Sequence, residues 1–82
     1  MKKTLHVTIS SVAKQYFAGD AVQAIFPGSE GEMTVLANHE PLVTTLQKGE
    51  IIVRNAEGED HTFPVSDGAV LEIANSRATV LL

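Results

Sequence analysis

The chain has 82 residues, enough for one domain with a single modest core and too few for a second. At 44% hydrophobic and 20% charged, with no low-complexity tract, it has the composition of an ordered domain, and its lack of cysteine excludes both a disulfide scaffold and a thiolate metal site. The net charge of -4 argues against non-specific binding to nucleic acid or anionic lipid, which requires clustered cations, and only Lys2 and Lys3 are adjacent basic residues. No run approaches the ~20 apolar residues that span a bilayer, so direct membrane insertion is not expected.

Apolar residues recur with period two along most of the chain, the signature of half-buried strands. Leu5, Val7 and Ile9 alternate with His6, Thr8 and Ser10 in a first strand. Val12 to Phe17 is the one segment where a short helical turn competes. The alternation resumes at Val22, Ala24 and Phe26, then at Met33 and Val35, and then at Ile51 and Val53 against Ile52 and Arg54. Phe63 and Val65 follow, then Leu71 and Ile73 around Glu72, and finally Ala78, Val80 and Leu82. Pro64 lies inside a strand pattern, which places that strand at a sheet edge or at a bulge. Turn compositions separate the segments at Gly19-Asp20, Pro27-Gly28-Ser29, Lys48-Gly49, Glu57-Gly58-Glu59, Asp67-Gly68 and Asn75-Ser76. This spacing predicts an all-β fold in which the sheet closes on itself or is covered by a second sheet, as a flattened sandwich or barrel.

Catalytic and metal chemistry find little support. Gly28 and Gly31 bracket Ser29-Glu30 and lack the Gly-Lys-Ser/Thr ending of a phosphate loop, and a carboxylate there repels phosphate. His6, His39 and His61 do not have metal-ligand spacing, although His39-Glu40 could contribute to a site with a distant partner. Ser10 and Ser11 lie outside any nucleophile elbow. Glu30 and Glu32, two apart on an extended chain, are expected to share one solvated face with no apolar pocket to raise a pKa. Four aromatic residues are too few for a base-stacking platform. The polar Asn38 to Pro41 stretch leading into apolar Leu42-Val43 suits a surface that another protein covers.

Read in order, the chain resembles the N-terminal domain of the epsilon subunit of bacterial F-type ATP synthase. The likeness rests on Phe17-Ala18-Gly19, on the Pro27 to Leu36 segment, on His39-Glu40-Pro41-Leu42-Val43-Thr44-Thr45-Leu46 with Gly49, and on Val65 to Ile73 followed by Ala78-Thr79-Val80-Leu81. It covers nearly the whole chain.

The resemblance implies a β-sandwich or flattened barrel of about ten short strands. It further implies a non-catalytic subunit of the central stalk, without cofactor or metal, that links the gamma subunit to the c ring and couples proton flow to ATP synthesis. The expected location is the cytoplasmic face of the bacterial inner membrane, peripheral and within the complex. Carried over by position, Glu32 faces the basic polar loops of the c ring, with Glu30 beside it; Ser11, His39 and Thr44 face gamma, and Leu42 and Val43 supply apolar burial there.

Two residues depart from the family pattern. Thr34 stands where glycine is usual, which requires a β conformation, and Asp67 replaces the first of two glycines, which a turn tolerates when Asp can enter the left-handed region. The chain also stops after Leu82, where most members continue into a C-terminal helical hairpin, so the inhibition and ATP binding attached to that hairpin are not expected. A naturally short subunit and a trimmed chain both fit, and the clean end of the last strand favours the former.

Two other classes of function compete. A small-ligand or enzymatic barrel with His39 and Glu32 lining a pocket needs an enclosed cavity of roughly 300 Å³ or more, which a core of this size does not spare. A stand-alone interaction domain on the same fold is the other reading, since fold does not dictate function.

Overall fold

The computed structural model describes residues 3–82, and these form nine strands and no helix. One sheet contains β1 (Leu5–Ser10), β2 (Gln15–Ala21), β5 (Leu42–Thr45), β8 (Val70–Ala74) and β9 (Arg77–Leu81), in the order β2-β1-β9-β8-β5. The other contains β3 (Gln23–Gly28), β4 (Gly31–Val35), β6 (Gly49–Arg54) and β7 (Asp60–Val65), in the order β4-β3-β6-β7. All pairings are antiparallel except that of β1 with β9, which lies at the centre of the first sheet and joins the two ends of the chain.

Alternation decides which side chains meet between the sheets. Leu5, Val7 and Ile9 on β1, Ala24 and Phe26 on β3, Ile51 and Val53 on β6, Leu71 and Ile73 on β8, and Ala78 and Val80 on β9 are all buried, and their neighbours point outward. No polar or charged residue is buried among the described residues, so burial is purely apolar, and β1, β3, β6, β8 and β9 read as alternately inward and outward. The ring of Phe17 packs against those of Phe63 and His61, at centroid distances of 5.2 and 6.0 Å. That cluster seals the side of the sandwich where β2 and β7, the edge strands, face each other.

Pro64 lies on β7, an edge strand, as its missing N–H requires. The expected helical turn from Val12 is absent: residues 11–14 form a short irregular loop, and Gln15 onward is strand, because Phe17 and Ala21 gain more by facing the core than a six-residue helix could gain alone. Gly19-Asp20 is likewise not a turn but the middle of β2, paired with Val7 and His6. A register shift between Ile9 and Ser10 leaves Tyr16 as an extra residue on β2, a bulge at the sheet edge.

Thr34 is extended on β4, as expected. Asp67 is not left-handed; Gly68 takes the positive φ of 94°, and the Asp67 carboxylate instead accepts a hydrogen bond from the Lys48 backbone N–H at 2.6 Å. At the β8–β9 turn Asn75 and Ser76 both adopt positive φ, 53° and 58°, the geometry of a two-residue hairpin turn.

One ion pair is bidentate. Arg54 at the end of β6 donates from Nε to Asp60 Oδ1 at 2.8 Å and from Nη2 to Oδ2 at 3.2 Å, across the β6–β7 hairpin. The hydrogen bond from Arg54 is the main reason that the Asp60 carboxyl is held below its ordinary range. A carboxylate with a depressed folded pKa stabilises the fold above its unfolded pKa of about 4, and that stabilisation is lost as pH falls through the folded value. Both partners are exposed, so the effect is small. The melting temperatures of the parent and of Asp60→Asn are therefore expected to differ modestly at pH 7 and to converge as pH falls below about 4; a gap that widened toward low pH would contradict the assignment.

Candidate functional site

The residues expected to touch partners do not form one cluster. Strand direction gives the sandwich two ends. At one end lie the 11–14 loop, the β3–β4 turn, residues 46–48, the Ser66–Ala69 turn and Leu82; at the other lie Lys3, Val22, the 36–41 connection, the β6–β7 turn and the β8–β9 turn.

Glu30 and Glu32 sit at the first end. They do not share a strand face: Glu30 is in the two-residue turn, and Glu32 is on β4, facing solvent opposite Pro27. The turn breaks the extended alternation on which the expected common face depended.

This hairpin is stapled to the other sheet. Ser29 donates its backbone N–H to Thr45 O at 3.1 Å, and the Ser29 and Thr45 hydroxyls are 2.8 Å apart. The Gln47 N–H reaches Pro27 O at 2.8 Å, and Gly28 bridges to Leu46. Gly28 must be glycine there, since a Cβ would approach the Gly31 carbonyl oxygen to 2.7 Å. The carboxylate-bearing hairpin and β5 are thus held as one unit across the sheets. Ser29, Thr45 and Gln47 carry this junction, and no local pattern in the sequence marks them, because the Ser29–Thr45 hydroxyl contact is 16 residues apart and the Gln47 side chain reaches the Gly28 carbonyl from 19 residues away.

On β5, Leu42 and Thr44 are half-buried on the inner side, and Leu42 packs on the core, whereas Val43 is 67% exposed on the outer side. His39, three residues before Leu42, turns its Nδ1 to the Glu40 carbonyl at 2.8 Å, which leaves Nε2 as the free ring nitrogen. Ser11 is at the opposite end of the same sheet, beyond β8 and β9, where its N–H bonds Lys14 O at 2.8 Å and its Oγ accepts from Ala13 N at 3.3 Å. A partner touching Ser11 and His39 together must therefore span the sheet, and Thr44, on the inner side, is reached only at the open edge of β5.

The outer face of that sheet has an apolar row that the strand reading did not single out. Val70 on β8 is paired with Leu81 on β9, and Leu81 with Ser10 on β1, while Thr45 on β5 is opposite Val70. Val70 and Leu81 alternate with buried Leu71 and Val80, so they face outward, and Val43 lies diagonally beside them. Six of the seven exposed large apolar side chains, Val12, Tyr16, Val43, Val70, Leu81 and Leu82, belong to this sheet or to the segments that directly continue its strands. Apolar residues on both faces of β8 and β9 were the available signal in the sequence. Toward the far end the face becomes polar, with His6 and Asp20 paired at 3.1 Å.

Among the described residues two surface depressions stand out, both open to solvent. One, of about 480 Å³, is lined by Lys3, Val22, Thr34, Leu36, Ala37, Asn38 and His39; the other, of about 270 Å³, by Leu82 and residues 64–69. Glu32 lines neither, so the arrangement of His39 and Glu32 around one pocket is not what forms. No group of three or more potential metal ligands occurs among the described residues.

Comparison with known proteins agrees with this architecture. Residues 4–82 match the family described as the ATP synthase delta/epsilon chain, beta-sandwich domain. The ATP synthase epsilon chains of Bordetella avium and Alkalilimnicola ehrlichii are 38% and 37% identical over 95% of this chain. The chain spans about half, 55%, of the length of these relatives. Among solved structures, a chain of the Euglena gracilis mitochondrial ATP synthase (OSCP/F1/c-ring) superposes with a TM-score of 0.87 at 21% identity, covering 95% of this chain and 49% of its own. A chain from the central stalk and c-ring structure of the Tetrahymena thermophila mitochondrial ATP synthase gives 0.75 at 16% identity, covering 99% of this chain and 65% of its own. These two likenesses establish the shared fold. Core alternation, strand order and a family match running from residue 4 to residue 82 converge on one assignment: this chain belongs to the ATP synthase delta/epsilon chain family and has its β-sandwich domain.

Proposed function

We propose that this chain is a non-catalytic subunit of the central stalk of a proton-translocating F-type ATP synthase, linking the gamma subunit to the c ring and so helping to couple ion flow to ATP synthesis. In this reading it is a peripheral part of the complex on the cytoplasmic face of the bacterial inner membrane. The observation that carries the proposal is the division of the surface into two unlike regions joined by a rigid junction. The outer face of the five-stranded sheet presents the apolar row of Val43, Val70 and Leu81, which suits burial against a protein partner. The β3–β4 hairpin presents Glu30 and Glu32 to solvent, which suits a cationic loop. The Ser29–Thr45 and Gln47–Pro27 bonds hold these regions in fixed relation, so a load on one is transmitted to the other.

Within this assignment gamma covers the apolar row with Ser11 and His39 at its borders and reaches the inward-facing Leu42 and Thr44 only at the open edge of β5, and the c-ring loops meet Glu32 with Glu30 beside it. Carboxylates at such a rim set orientation and register more than affinity. The test is recovery of partners from native membranes on tagged protein: gamma, the catalytic head and the c ring are expected to co-purify, and a folded protein that retains none of them would refute the assignment. Glu32→Lys should leave the isolated domain folded and reduce ATP-driven proton pumping in reconstituted vesicles, by setting like charge against the basic loop; unchanged pumping would remove Glu32 from the contact.

A further inference from the structure

We propose that gamma places a cationic side chain, an arginine or a lysine, over Glu72 on the outer face of the five-stranded sheet, an inference that rests on the docking role above. Glu72 lies on β8 and is exposed. Val43 on β5 and Thr79 on β9 are directly opposite it, and Val70 and Ala74 are two residues away on its own strand, facing the same way. Val43 and Val70 belong to the apolar row. A partner that covers the row therefore covers Glu72.

This carboxylate has no counter-charge within the domain. The strands of this sheet carry two carboxylates, Asp20 and Glu72, and both are exposed. Asp20 is 3.1 Å from Nδ1 of His6, at the polar end of the face. Glu72 forms no ion pair among the described residues. Its immediate surroundings offer little to replace one: Val43, Val70 and Ala74 have no side-chain donor, and Thr79 has a single neutral hydroxyl. Arg77, two residues before Thr79 on β9, stands diagonally across from Glu72 and is opposite Ala74. It too is exposed and forms no ion pair in the free domain.

Water solvates Glu72 while the face is free. A covering partner displaces that water, and a carboxylate buried without a counter-charge is costly, whereas one met by a well-placed cation gives the contact its specificity. The apolar row supplies burial but little direction, because apolar contact tolerates sliding. One carboxylate set beside the row fixes where one cation of the partner must stand, so Glu72 sets the register of the two subunits.

The test is binding of purified gamma to the parent chain, to Glu72→Gln, Glu72→Lys and Arg77→Gln, and to the Glu72→Gln/Arg77→Gln pair, with Leu81→Asp as the control for coverage of the face and thermal melts as the control for folding. The direction of the change is diagnostic. A cation of gamma over Glu72 is left buried and unpaired by Glu72→Gln, so binding should weaken roughly tenfold, and further in Glu72→Lys. The same loss should follow Glu72→Gln when Arg77 is already Gln. If Leu81→Asp impairs binding but Glu72→Gln matches or exceeds the parent, gamma covers the face without a cation at this point; the inference fails and the docking role stands. A Glu72→Gln effect that vanishes in the Arg77→Gln background would assign the counter-charge to this chain and equally overturn the inference. If the folded parent does not bind gamma at all, the docking role fails and this inference fails with it.

Discussion

Phe26→Ala is expected to remove about 3–5 kcal/mol of stability, the range for truncating a buried aromatic ring. Phe26 is the largest of the fully buried side chains and sits on β3 between β4 and β6, with Met33 opposite it on β4. A chain of 82 residues has a total stability of roughly 4–12 kcal/mol. The substitution therefore removes a large part of that total and can leave a minority of molecules folded. In thermal denaturation it should lower the midpoint by more than about 12 °C. A urea midpoint equal to that of the parent would mean that the space between the sheets does not depend on the ring.

The second large effect concerns assembly rather than folding. Leu81→Asp places a carboxylate in the middle of the outer apolar row, between Val70 and Ser10, on a residue that is 50% exposed. Its neighbour Val80 keeps facing the core, so the isolated domain should melt within a few degrees of the parent. Binding to gamma should fall about thirty-fold, the equivalent of ~2 kcal/mol for a central contact that must now bury an unpaired charge. Val43→Asp, at the rim of the same row, should cost less. Wild-type affinity in Leu81→Asp would show that gamma does not cover this face, and the choice of face would then pass to the four-stranded sheet.

Much of the fold follows from local chemistry. Strict alternation in β1, β3, β6, β8 and β9 places alternate residues on opposite faces, so the sequence names Leu5, Phe26, Ile51, Leu71 and Val80 as core without reference to any distant contact. Pro64 likewise announces an edge strand through its missing donor. The segments misread are those where local preference is weak or divided. Gln15–Ala21 has polar and small residues that suit a turn as well as a strand, and pairing with β1 decides the matter. Leu42–Thr45 is only four residues long and becomes a strand because β8 offers a free edge.

The candidate surface divides in the same way. That carboxylates mark the β3–β4 segment, that no catalytic motif is evident and that Leu42-Val43 is an apolar element are all statements about neighbouring residues, and the sequence by itself determined them. Which of Leu42 and Val43 faces outward, which distant apolar residues line up beside Val43, and that Glu30 and Glu32 point from a turn and a strand rather than from one face were decided by tertiary structure. The physical reason is that a sheet face is assembled from strands whose registers are set by pairing, and pairing depends on residues far apart in the chain. Val70, Leu81 and Ser10 become neighbours only when β9 inserts between β8 and β1, and Ser29 meets Thr45 only when the two sheets close. Period two is a local property, whereas adjacency across strands is not.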